Sequence, residues 1–137
     1  RGLYCPPGDF HIDPVKPVAR AVITHGHADH ARAGHGTVLA TPATLDIMVE
    51  RYGDAHAERT EALPYGETVT RDGVSLRLVP AGHVLGSAQA VVEWRGLRIV
   101  VSGDYKRRWD PTCAGFEPTG CEVFVSEATF GLPVFRH

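Results

Sequence analysis

Four potential metal ligands lie within six residues in the segment Thr24-His25-Gly26-His27-Ala28-Asp29-His30. Two histidines at i and i+2 point the same way from an extended segment. Asp29 and His30 turn toward a second position if the chain curls into a helix there. Such a set suits two adjacent metal ions better than one. Gly26 and Ala28 are small and keep the spaces between ligands open. A surface histidine cluster, or histidines satisfied within a turn, is the plain alternative, but four ligand types at this spacing rarely coincide. The chain is also rich in histidine, with eight among 137 residues, three of them in this one segment.

Two later residues suit the same site. His83 sits in Pro80-Ala81-Gly82-His83-Val84-Leu85-Gly86-Ser87-Ala88, a glycine-lined turn. Taken alone, it is a turn histidine. Asp104 sits in Val101-Ser102-Gly103-Asp104-Tyr105, just past an apolar run. Taken alone, it caps a turn. Beside the first cluster, both become candidate ligands. Lys106, Arg107 and Arg108 follow at once. Such a run is ordinarily a solvated face, but next to a metal site it can pair with backbone phosphates without reading bases. Trp109 is a candidate to stack a base or to pack at a strand end.

These residues need a scaffold, and the patterning supplies one. The run 18–24 reads as a buried strand leading straight into the histidine cluster, and 37–40 as a second strand. Thr41-Pro42 has the form of an N-cap followed by proline at the first helical position. Leu45, Met48, Val49 and Tyr52 then repeat at helical spacing, which predicts a helix near 42–52 with this stripe in the core and Gly53 as its stop. The pairs 68–71 with 74–79 and 88–94 with 97–101 flank Asp72-Gly73 and Arg95-Gly96, two hairpin signals. The run 122–126 is a last strand, and Cys5 to Asp9 is a turn by composition. The fold class is α/β, strand-rich with one helix, and the polar clusters sit at strand ends where such folds build sites. The strands counted fill about one sheet and part of a neighbour.

Composition bounds the rest. The length fits one small domain. Fourteen basic residues against 16 acidic leave a net charge of −2, which argues against a general nucleic-acid-coating role. No apolar run approaches the roughly 18–20 residues that span a bilayer, and no secretory signal opens the chain. Cys5, Cys113 and Cys121 form no CxxC pair, which points to reduced thiols and a cytoplasmic setting. The first residue is Arg1, and both ends have the look of cut ends.

His25-x-His27-x-Asp29-His30, followed by His83 and Asp104, resembles the motif series of the metallo-β-lactamase superfamily of dinuclear metal hydrolases. The resemblance covers most of the chain in the right order. It implies an αββα sandwich, of which residues 1–137 would be an N-terminal portion. It also implies that His25, His27 and His83 hold a first ion, Asp29 and His30 a second, and Asp104 both. Asp13, in Phe10-His11-Ile12-Asp13-Pro14, is similar to an aspartate that supports the ligand loop from behind; Asp9 is a weaker candidate. The segment 81–88, with Ser102-Gly103-Asp104-Tyr105, looks like the nuclease branch. Ser126-Glu127-Ala128-Thr129-Phe130-Gly131 resembles the acidic motif that opens the β-CASP insertion, so 127–137 would begin an insertion whose remainder lies elsewhere. Residues 2–14 together with Thr129-Phe130-Gly131-Leu132-Pro133 resemble bacterial ligase-associated DNA exonucleases.

The activity implied is metal-dependent phosphodiester hydrolysis, with Asp29, Asp104 and Glu127 as the catalytic acids and Lys106, Arg107 and Arg108 on the substrate backbone. Two divalent ions acidify a water and clamp the oxygens of the in-line displacement. Zinc suits the histidine-rich set, and manganese is the alternative. DNA is the expected partner with RNA as the alternative, in functional association with a DNA ligase and away from membranes. Two other readings stay open: a small-molecule metallo-hydrolase acting on thiolesters or lactams on the same fold, and a non-catalytic binding module.

Overall fold

Short apolar runs separated by turn residues become ten strands and one α-helix in the computed structural model, which describes residues 3–106 and 111–126. The first sheet contains β1 (Leu3–Cys5), β2 (Phe10–Ile12), β3 (Arg20–Val22), β4 (His35–Ala40) and β5 (Ala57–Ala62), in that spatial order. β1 pairs antiparallel with β2, and the other neighbours are parallel. The second sheet contains β6 (Thr68–Arg71), β7 (Val74–Pro80), β8 (Ala88–Trp94), β9 (Leu97–Val101) and β10 (Val123–Val125). It is antiparallel except for β10, which runs parallel to β9.

Parallel neighbours need a crossover, and α1 (Pro42–Tyr52) makes the one between β4 and β5. Thr41 caps it, accepting from the Thr44 amide, and Gly53 ends it at a φ of 85°. Both hairpin turns form as their sequence requires. Asp72-Gly73 and Arg95-Gly96 take positive φ at both central residues, matching the twist of the flanking strands.

The core has three parts. Between the sheets, Phe10, Ile12, Val22 and Leu39 meet Val74, Leu76, Leu78, Ala90 and Val92. On the outer face of the first sheet, Ala21, Ile23, Val38 and Ala40 lie under Leu45 and Met48 of α1. Burying each of those two helix side chains contributes about 1.5–3 kcal/mol. On the outer face of the second sheet, Val79, Val91 and Val100 pack together.

The Cys5–Asp9 turn forms as its composition predicts, and it is the tip of the β1–β2 hairpin. Three features depart from the sequence expectations. The strands form two five-stranded sheets, because β1, β2 and β5 are too short or too polar to stand out by alternation. The helical stripe is narrower than its spacing predicts, since Leu45 and Met48 are buried whereas Val49 and Tyr52 are exposed. After Asp29 the chain makes a single turn in place of a helix, with the amides of His30 and Ala31 both bonded to the His27 carbonyl.

The two margins of the sandwich differ. At one, Arg71 of β6 donates to both carboxylate oxygens of Glu61 on β5, each at 2.9 Å. At the other, Leu3, Ile12, Trp94, Leu97 and Val123 line an apolar groove between β1 and β10. Leu3, Tyr4, Leu97, Val123 and Phe124 are exposed at or beside this margin, while Val15, Val49, Tyr52 and Leu85 are exposed elsewhere among the described residues. Among the described residues no helix is long and apolar enough to cross a membrane. Cys5, Cys113 and Cys121 are free thiols.

Candidate metal centre

The three polar segments meet at one edge of the sandwich because β3, β7 and β9 all end there. β3 runs through Ile23 and Thr24 into His25, and the Thr24 carbonyl accepts from the Ala88 amide, which ties the two sheets together at this point. The turn after β7 carries His83; the Ser87 hydroxyl oxygen accepts from the amides of His83 and Val84 at 3.0 and 3.2 Å. The turn after β9 carries Asp104. It comes so close to the first loop that a Cβ on Gly103, at a φ of 57°, would lie 2.6 Å from Thr24 Oγ1. Only glycine fits there.

His25, His27, His83 and Asp104 each offer a ligand atom within 4.8 Å of the others. His83 Nε2 lies 3.2 Å from His27 Nδ1. Asp104 Oδ2 is 3.7 Å from both His25 Nε2 and His83 Nε2. Its other oxygen, Oδ1, is 3.5 Å from His30 Nε2, so one carboxylate faces two sets of imidazoles. Asp13, His25 and His30 form a second group at the same limit. Asp29 belongs to neither group: its side chain is 73% exposed, with Oδ2 3.6 Å from His30 Nε2. His25 forms the buried floor and exposed His27 the rim.

Asp13 organises this set from behind. It takes a positive φ of 49° directly after β2, a conformation uncommon outside glycine. Its Oδ1 accepts from the Thr24 amide at 2.8 Å, and its Oδ2 accepts from the Thr24 hydroxyl at 2.6 Å and from His30 Nδ1 at 2.8 Å. The Thr24 hydroxyl has one proton and spends it on Asp13. The 3.0 Å contact between Thr24 Oγ1 and His25 Nδ1 therefore requires the imidazole to donate. Both His25 and His30 thus carry their proton on Nδ1 and turn Nε2 toward Asp104. Thr24 has a clear structural role that its residue type alone does not announce, and Ser87 is a second such residue. Their positions beside a histidine and a glycine turn were the available signals. Asp9, by contrast, accepts from Tyr4 Oη within the β1–β2 hairpin and is exposed.

The electrostatics favour ligation at His25. Burial, with the neighbouring His30, His83 and His27, pushes the His25 pKa down to about 3, leaving it neutral, as a ligand must be. The hydrogen bond to Asp13 raises that of His30 against the opposing effect of burial. His25 Nε2 is buried and has no hydrogen-bond partner among the described residues. A buried polar atom without a partner is costly unless it binds something. Three imidazoles and a carboxylate are a donor set that suits zinc. The Lys106 side chain is exposed and its amide donates to the Ala81 carbonyl at 2.9 Å, beside the His83 turn. Arg107, Arg108, Trp109 and Glu127 lie outside the described residues.

Comparison with known proteins identifies the family. A "Probable DNA ligase" of Opitutus terrae is 34% identical over 136 residues, covering 96% of this chain and 13% of that protein. "Endoribonuclease YSH1" of Gibberella zeae is 31% identical over 126 residues, covering 90% and 14%. "Cleavage and polyadenylation specificity factor subunit 3" of Dictyostelium discoideum is 34% identical over 83 residues, covering 59% and 11%. The chain thus spans a small part of the length of these relatives. A crystal structure of a protein of unknown function from Enterococcus faecalis V583 superposes with a TM-score of 0.53 at 19% identity, covering 64% of this chain and 25% of that one, a likeness of fold alone. Residues 11–129, from the strand before Asp13 to beyond the Asp104 turn, match the Metallo-beta-lactamase superfamily, and the chain belongs to that superfamily.

Proposed function

We propose that this chain carries the metal-binding part of a metal-dependent nucleic-acid phosphodiesterase, a DNA exonuclease acting in repair. The observation that carries the reading is the convergence of His25, His27, His83 and Asp104 at the sheet edge, with Asp104 turning its second oxygen to His30. In this reading His25, His27 and His83 hold one divalent ion, Asp29 and His30 a second, and Asp104 reaches both. Zinc suits the imidazoles and manganese the carboxylates. When bound, two such ions acidify water and neutralise charge developing on phosphodiester oxygens.

The protein's own residues supply the rest. Asp13 fixes His25 through Thr24, and His30 directly, so that both present a lone pair to the site. Exposed His27 leaves the rim open to a polymer too long to be enclosed. Lys106, with Arg107 and Arg108 next to it in sequence, would hold backbone phosphates. Glu127 would protonate the leaving oxygen. Residues 1–137 form part of a metallo-β-lactamase domain, with 127–137 opening a β-CASP insertion. The ligase-named relative that aligns over 96% of the chain supports DNA and a functional association with ligation. The endoribonuclease-named relatives support a second reading, RNA cleavage within the same branch.

The deciding experiment uses the full-length protein, stripped of metal and reloaded with Zn²⁺ or Mn²⁺. It is assayed on end-labelled single- and double-stranded DNA and on matching RNA. Stepwise shortening of DNA is the expected result. Internal cleavage of RNA would transfer the reading to RNA processing. Turnover of thiolesters or lactams with intact polynucleotides would make the protein a small-molecule hydrolase, and failure to take up metal would make it a binding module. Replacing Lys106, Arg107 and Arg108 together with alanine should weaken DNA binding and flatten its salt dependence at unchanged metal content. An unchanged salt slope returns the run to a solvated face.

A further inference from the structure

α1 touches two of the three ligand loops, one at each end. At its C-terminal end, Arg51 Nη1 donates to the Gly26 carbonyl at 2.5 Å. That carbonyl lies between His25 and His27. Ile47, one turn earlier, packs so tightly beneath Gly26 that a Cβ there would lie 2.7 Å from Ile47 Cγ2. Tyr52 Oη donates to the Ala31 carbonyl at 2.8 Å, where the same loop closes. At the N-terminal end, the hydroxyls of Thr41 and Thr44 donate to the Gly86 carbonyl at 2.7 and 3.2 Å, within the turn that carries His83. Ten residues separate Thr41 from Arg51, about 15 Å of helix at 1.5 Å per residue.

We infer that α1 is a brace that sets the separation of the His25–His27 loop from the His83 turn, with Arg51 the positioning residue for the His25–His27 pair. Residues 25–27 belong to no strand, so the sheet ladders do not hold their peptides. Rotation about the peptides of Gly26 would move the two imidazoles apart, and the Arg51 guanidinium on its carbonyl opposes that rotation. A basic residue in the last helical turn ordinarily interacts with the helix's own carbonyl end. Here the group reaches off the helix to another loop. Thr41 joins cap and contact in one hydroxyl, accepting from the Thr44 amide at 3.3 Å and donating to Gly86. Thr44 gives Gly86 a second donor.

This inference rests on the metal-centre reading and is tested with the metal alone. In the full chain, Arg51→Met should weaken Zn²⁺ affinity by roughly 10- to 100-fold, the range for residues that orient ligands. Its Co²⁺ form should show a displaced visible absorption band. Arg51→Lys should recover part of the affinity. Thr44→Val, at the other end of the brace, should weaken Zn²⁺ binding several-fold in the same direction. Affinities are measured by competition calorimetry at temperatures where each metal-free variant is folded. A purely structural residue lowers the melting temperature but leaves the affinity and the Co²⁺ band unchanged. Wild-type Zn²⁺ affinity and Co²⁺ spectrum in Arg51→Met overturn the brace and leave the metal centre standing. Should Arg51→Met not fold, Thr44→Val decides, because it removes one hydroxyl and keeps the branched shape; unchanged affinity there overturns the brace. If the wild-type chain takes up no Zn²⁺, the metal centre fails and the brace with it.

Discussion

His25 and His35 lie at opposite ends of the same parallel strands, each buried to 1% exposure or less. His25 follows the end of β3, and His35 opens β4, beside His56 at the entry to β5. Both regions contain buried imidazole nitrogens without a hydrogen-bond partner: Nε2 of His25, Nε2 of His35 and both ring nitrogens of His56. What separates the regions is the carboxylates. His25 is oriented by Asp13 through Thr24 and meets Asp104. His35 Nδ1 takes the Val18 amide at 3.2 Å, and no group of three ligands forms there among the described residues. Burial and residue type are therefore insufficient to make a site. Convergence is needed, together with an anion that fixes which nitrogen carries the proton.

The sharpest test of that contrast is deletion on each side. On the proposed function, His83→Ala and His27→Ala should each lower turnover of the full-length protein by about a thousandfold, about 4 kcal/mol of barrier. Circular dichroism should stay unchanged, since both side chains are partly or largely exposed. Asp29→Asn should do the same if Asp29 holds the second ion, despite its exposed position. His56→Ala should leave metal content and turnover intact. Comparable losses from His56→Ala would erase the distinction between the two regions.

Asp13→Asn asks whether the orienting anion matters. The substitution keeps the size but sets an amide where an anion now takes bonds from the Thr24 hydroxyl, the Thr24 amide and His30. Zn²⁺ affinity should fall roughly 10- to 100-fold, measured by competition with a chelator. Wild-type affinity would mean that the ligands converge without Asp13.

How much of this is legible in the sequence depends on how local each determinant is. The helix, both hairpins and the candidate ligands are local, as with the positive-φ pairs at Asp72-Gly73 and Arg95-Gly96 or the ligand spacing of 25–30. β5, Ala-Glu-Arg-Thr-Glu-Ala, hides because its pairing with β4 compensates for weak strand propensity. The Thr24 relay hides because it needs β2 paired with β3, and the reach of Arg51 to Gly26 hides because it joins residues brought together only by the β3–β4–α1 path. Asp13 was legible by resemblance, but its three hydrogen bonds depend on the register of β2 against β3.

Replacing His56 probes the unorganised region itself. With neither ring nitrogen hydrogen-bonded among the described residues, the imidazole bears desolvation without return. Exchanging a poorly satisfied buried polar group for an apolar one of similar shape is close to neutral or stabilising. His56→Leu should therefore change unfolding free energy by no more than about 1 kcal/mol in either direction, measured by denaturant titration. A loss of several kcal/mol would show that His56 is bonded to a group not yet accounted for.

The smallest effect is a slope. Burial, helped by the charges of His11 and His56, lowers the His35 pKa below 6.5. The unfolded chain takes up a proton near pH 6.5, while folded His35 resists it. Stability is therefore unaffected well above pH 6.5 and falls as the pH drops below it, because the unfolded state then binds more protons. His25 adds to the same trend down to about pH 3. His30 opposes it: its raised pKa adds stability below pH 6.5 that is lost as the pH rises. Metal ligation would compete with protons at both His25 and His30, so the measurement is made with chelator present. His35→Phe removes one of the two destabilising titrations. Its overall stability shifts, because the Val18 amide loses an acceptor, but that shift does not depend on pH. Between pH 8 and pH 5 the variant should lose less unfolding free energy than wild type. Equal losses would mean that folded His35 takes up its proton as readily as the unfolded chain does, and that burial alone does not make the His35 region resist protonation as His25 does.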